Sequence, residues 1–147
     1  MNQISIHLPA AARMFLGLIF TIFGLNGFLG FMSMPPMPEP ASAFMMALAE
    51  SEYFLPFLKS VELICGVALV ANLFAPFALV VIAPVILNIT LFHLFLAPEG
   101  LIIPGVLVVL AGFLGWSYRH HYKTMFERRA TPVPQPTRGR HESKVIA

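Results

Sequence analysis

Apolar residues fall into four long runs along this chain, at about 9–31, 53–72, 75–96 and 101–118. Each is close to the roughly 17–25 residues that a helix needs to cross a bilayer. Runs two and three almost touch. Asn72 and Pro76 are the only breakers between them, which predicts a tight helical hairpin. The first run resembles a signal peptide only superficially. Its leading segment holds a single basic residue, Arg13, the run exceeds a usual signal h-region, and Ala41-Ser42-Ala43 lies too far beyond it to be the cleavage site. A retained helix is expected.

The segment between runs one and two is the longest break. Pro35, Pro36, Pro38 and Pro40 exclude a helix at its start. Phe44 and Leu48 then suit one face of a short interfacial helix. The expected fold is therefore all-α: an integral membrane four-helix bundle with a short interfacial helix in the first outer loop. Residues 1–120 form the transmembrane domain. Residues 121–147 form a basic, proline-bearing tail, expected to be disordered.

Composition agrees. The 147 residues are 58% hydrophobic and 11% charged, against about 25% charged in a soluble domain. The lone cysteine, Cys65, excludes an internal disulfide or a CxxC redox pair, and a small buried hydrophobe is its ordinary reading. A cluster of methionines at 32, 34, 37, 45 and 46 is compatible with soft copper(I) ligation but is better read as adaptable packing. The basic cluster around His120 and His121 is explained by anionic lipid headgroups. No nucleic-acid partner is expected; the bilayer is the first partner.

Charge sets the orientation. Seven of the nine Lys and Arg residues follow the fourth run, whereas the first loop carries Glu39, Glu50 and Glu52 and the third only Glu99. The positive-inside rule then puts both termini in the cytoplasm.

Glu62 stands near the middle of the second run. An acidic residue at that depth costs about 2.5–3.5 kcal/mol on insertion scales and is usually paired or functional. Counting about 1.5 Å per residue, Asn26, Lys59, Glu62, Asn88, Thr90 and His93 all fall in the outer half of the bilayer, from three different runs. Depth matching leaves two readings open. In one, these groups are interhelical hydrogen-bond glue, with Lys59 paired to Glu62 at i,i+3. In the other, they line a pocket for a polar head group or a proton relay. Small residues mark expected close helix contacts: Gly17, Gly24, Gly27 and Gly30 in run one, and Gly105, Gly112 and Gly115 in run four. Pro84 is expected to bend run three.

Two short patterns carry a resemblance. Arg13-x3-Gly17-x2-Phe20-x3-Gly24 and Glu62-x3-Gly66-x2-Leu69 resemble the two motifs of DoxX-type membrane proteins, and the likeness extends over about Arg13 to Tyr118. It implies a bacterial inner-membrane location and a link to thiosulfate:quinone oxidoreduction, membrane redox or oxidative-stress complexes; distant relatives act as membrane chaperones. Glu62 is the first position carried over, then Arg13. His93 is the only histidine within a run, so one chain offers no bis-histidine haem site. An accessory subunit is thus expected rather than an independent enzyme, with no intrinsic cofactor, a quinone as ligand, and membrane redox proteins or further copies of the chain as partners. Glu62 would exchange a proton, while Asn88, His93, Asn26 and Lys59 complete the ligand site. The rival reading is a non-enzymatic scaffold or chaperone for other membrane proteins. A small transporter ranks lower, because the chain shows no internal repeat.

Overall fold

The computed structural model describes residues 4–33 and 36–126, and every regular element among them is helical. The helices are α1 (Ile4–Leu29), α2 (Glu39–Glu50), α3 (Phe54–Val70), α4 (Ala75–Phe95) and α5 (Ile102–Ser117), with 3₁₀ turns at Pro98–Gly100 and Arg119–Phe126. The tail expected beyond Phe126, together with Met34 and Pro35, lies outside the described residues.

Helix α1 packs on α3, α3 on α4, α4 on α5, and α5 back on α1. The four long helices thus close a ring, whose centre is filled by Leu16 and Phe20, Leu69, Ile82, and Leu107 and Leu114. The outward faces are apolar as well: Ile64 is 68% exposed and Val109 70%. Apolar residues inside and outside describe a body solvated by lipid, and the chain is a multi-pass membrane protein. By length, α1 and α4 each cross a bilayer unaided. Helices α3 and α5, with 17 and 16 residues, reach about 25 Å, a little under the ~30 Å hydrocarbon core, and lean on their ring neighbours. Helix α2 meets α3 at 94°. It lies across one end of the bundle, with Ala41 buried beneath it and Phe44 against Phe92 of α4 at 6.0 Å between ring centres.

The helix ends follow from local chemistry. Gly30, at φ +62°, takes the left-handed position that closes α1, and its N–H bonds to the Asn26 carbonyl at 2.8 Å. Helix α3 ends in a Schellman motif. Asn72 sits at φ +57° and donates to the Leu69 carbonyl, while the Leu73 N–H reaches back to Ala68. Phe74 is also left-handed, at φ +49°, a costly conformation for an aromatic residue. Pro76 then opens α4 in its first turn, where the missing N–H is harmless. The hairpin is therefore built on the same two residues that break the hydropathy pattern. Pro84 lies inside α4 without ending it.

The tightest contact is between α1 and α3. A Cβ added to Gly17 would stand 2.8 Å from the Val70 backbone N and 2.9 Å from the Gly66 carbonyl. One added to Gly66 would stand 2.5 Å from the Thr21 backbone N and 2.9 Å from the Gly17 carbonyl. The two backbones touch where both side chains are missing. Gly112 of α5, by contrast, has nothing within 4 Å. Gly66→Ala is expected to lower the thermal midpoint in detergent, because overpacking at backbone contact costs about 1–3 kcal/mol. Gly112→Ala is expected to hold or raise it, since alanine gains up to about 1 kcal/mol of helix propensity over glycine. Equal effects from the two substitutions would contradict the close α1–α3 approach.

Candidate functional site

Helix α1 runs over the α3 stripe Lys59, Leu63, Gly66 and Val70: Gly27 faces the Lys59 stem, Gly24 faces Leu63, and Gly17 faces Gly66 and Val70. Glu62 belongs to the neighbouring stripe with Cys65 and Leu69, which turns toward the core. It is therefore buried by position in the ring, with 3% of its surface exposed. The compensating charge comes from one turn earlier on the same helix. Lys59 Nζ donates to Glu62 Oε2 at 2.8 Å, and the lysine side chain keeps 20% of its surface exposed. Glycine at position 27 clears the path for that lysine stem, since any side chain there would overlap it. This is the ion pair of the described residues. It leaves an apolar helix carrying a carboxylate whose charge is balanced and whose partner reaches the bundle surface.

A second buried charge sits at the other end of the same helix pair. Arg13 of α1 is buried, and its Nη1 donates to the Leu69 carbonyl and, at 3.2 Å, to the Val70 carbonyl. These are last-turn carbonyls of α3; that of Leu69 also accepts the Asn72 N–H of the Schellman motif, and the guanidinium adds a second donor there. The guanidinium satisfies them and places positive charge at the negative end of the helix dipole. Arg13 thereby ties α1 to the α3–α4 hairpin.

The remaining residues expected at the site are dispersed. Asn26 spends its side-chain oxygen on the Met32 N–H at 2.6 Å, fixing the chain just past α1. His93 Nδ1 bonds to the Ile89 carbonyl at 2.8 Å. A carbonyl only accepts, so Nδ1 carries the hydrogen. The rest of that ring packs on Gly100, where a Cβ would stand 2.6 Å from Cδ2. Thr90 bonds back to Ile86 on its own helix. Asn88 is exposed on α4. Of the five expected ligand residues, a side-chain hydrogen bond joins Lys59 and Glu62 alone. A groove of about 270 Å³ does open between α1 and α5, but Ile19, Phe23, Ile102, Ile103 and Val106 line it, all apolar. Among the described residues, no three His, Cys or acidic side chains cluster as metal ligands.

The two patterns read from the sequence are thus the two faces of one interface. Arg13, Gly17 and Gly24 meet Leu69, Gly66 and Leu63, and Glu62 lies beside that seam. A family model described as DoxX matches residues 8–97, more than half of the chain and both motifs. The chain belongs to the DoxX family. The match ends before α5, so the fourth long helix of this DoxX protein lies outside it. No curated protein and no solved structure matches the chain.

The anchoring role of Arg13 was invisible in the sequence, because its acceptors are backbone carbonyls 56 and 57 residues away. Arg13→Met keeps the apolar bulk and deletes the donors. It is expected to destabilise the protein by about 1.5–3 kcal/mol, the range for a hydrogen bond to a charged group, read as a lower thermal midpoint. Arg13→Lys, which keeps the charge, is expected to fall between the two. A midpoint unchanged in Arg13→Met would remove the anchor from the account.

Proposed function

We propose that this DoxX-family protein is an accessory subunit of a quinone-linked redox process in a bacterial inner membrane, with both termini cytoplasmic. One observation carries the proposal: a carboxylate buried inside an apolar helix and held at 2.8 Å by a lysine that reaches the bundle surface. Ionisable groups inside membrane spans commonly mark ligand paths and proton relays. A quinone is reduced by two electrons and two protons. The electrons come from a partner redox protein, Lys59 donates a hydrogen bond to the quinone oxygen, and Glu62 passes protons to it. The orientation rests on charge: Arg119 and Lys123 follow α5, whereas Glu39, Glu50, Glu52 and Glu99 gather at the end of the bundle that carries α2.

A scaffold or chaperone reading is favoured by a different feature. Gly105, Gly112 and Gly115 of α5 have nothing within 4 Å, which leaves room for a helix of another membrane protein to approach closely.

Purification in mild detergent, followed by lipid extraction and protein mass spectrometry, separates the two. Stoichiometric quinone together with a redox enzyme is expected. Glu62→Gln preserves an acceptor for Lys59 and is expected to give normal protein levels with quinone-linked electron transfer reduced about 10²-fold or more, as for loss of a proton-transfer group. Full activity in that variant would refute the proton role. A preparation with assorted membrane proteins and no quinone would favour the scaffold.

A further inference from the structure

The outward face of α4 is a regular stripe. Pro84, Asn88, Leu91 and Phe95 recur at steps of four, three and four residues, with Phe77 seven residues before Pro84, and all are exposed. Lipid would cover such a face without difficulty, but for one residue. Asn88, one turn from both Pro84 and Leu91, lies in the middle of the stripe, and its amide joins none of the side-chain hydrogen bonds of the described residues. About 10 Å of helix separates it from the end of α4 at Phe95. A side chain as short as asparagine does not span that distance to the headgroups, so its amide faces hydrocarbon, where an unpaired polar group is costly. Pro84, one turn earlier on the stripe, also withholds the N–H that the Val80 carbonyl would otherwise accept. The other intramembrane hydroxyl and imidazole groups are satisfied inside the chain: Thr21 by Gly17, Thr90 by Ile86 and His93 by Ile89. Asn88 stands apart from them.

We infer that this face of α4 is a homodimer interface, in which Asn88 pairs with Asn88 of a second copy across a twofold axis along the membrane normal. The argument for a second copy is geometric and chemical. Two chains inserted in the same direction keep that direction only under a twofold axis parallel to the normal. Such an axis brings equal residues to equal depth, so any residue beside it meets itself. A group that both donates and accepts is then self-complementary. The carboxamide, with an acceptor oxygen and two N–H donors, is such a group, whereas a lone carboxylate or ammonium would repel its mate. Pro84, Leu91 and Phe95, four residues before, three after and seven after Asn88, supply seam packing at coiled-coil spacing. The interface lies on α4, away from the α1–α3 seam, and is independent of the quinone reading.

Disulfide trapping in lipid vesicles tests it. Leu91→Cys is placed on the stripe one turn from Asn88, Val109→Cys on the equally outward face of α5 serves as the comparison, and the parent chain with its buried Cys65 gives the background. Oxidation is expected to trap Leu91→Cys as a dimer that persists as the lipid-to-protein ratio rises, with little from Val109→Cys. Adding Asn88→Leu is expected to weaken dimerisation by roughly five- to thirtyfold, the range for one interhelical hydrogen bond. Asn88→Gln, with the same donors and acceptor, is expected to retain most of it. Subunit counting on the unsubstituted chain in the same vesicles is expected to return two. A count of one, a dimer indifferent to Asn88→Leu, trapping through Val109→Cys instead, or a cross-link to a different protein would each overturn the inference.

Discussion

The structure depends on the contact of two backbones. Where Gly17 meets Gly66, α1 and α3 approach so closely that neither has space for a methyl group. That approach brings the Arg13 guanidinium within reach of the α3 carbonyls and lays the Lys59 stem over Gly27. It also closes the lipid off from Glu62. In a bilayer, apolar side chains gain nothing from leaving water, so helices associate through packing and the hydrogen bonds that packing permits. Small residues at the seam are therefore the precondition for the two buried charges on either side of it.

The seam holds opposite kinds of electrostatics at two levels. At one, Arg13 neutralises the dipole end of α3 and caps carbonyls beside the hairpin. Near the helix middle, Glu62 is compensated by Lys59 on its own helix. The first contact fixes tertiary structure, because its partners lie on different helices. The second is local, so the carboxylate's charge is balanced without a partner from another helix. This division makes Arg13 a tertiary anchor and leaves Glu62 paired within its own helix.

Other polar groups follow one rule. Thr21, Ser60, Thr90, His93 and Ser117 each bond to the carbonyl four residues earlier. A hydroxyl or imidazole satisfied by its own helix has no need of a neighbour, and this is the physical reason that residues matched in depth are not gathered into one pocket. Asparagine has more donors and acceptors than one carbonyl satisfies. Asn26 finds a backbone N–H beyond its helix, and Asn88 faces outward.

Hydropathy and length made the all-α membrane class legible, because in lipid the backbone must satisfy its own hydrogen bonds and helices are the economical solution. Asn72 and Pro76 marked the hairpin through left-handed and N-terminal preferences that are local to the chain. The i,i+3 spacing of Lys59 and Glu62 allowed their pairing for the same reason, as one of two readings. The rotation of each helix was not legible, since every long helix is apolar all round and depth says nothing of azimuth. Only the tertiary structure turned Glu62 inward and Asn88 outward, and only it joined Arg13 to carbonyls more than fifty residues away.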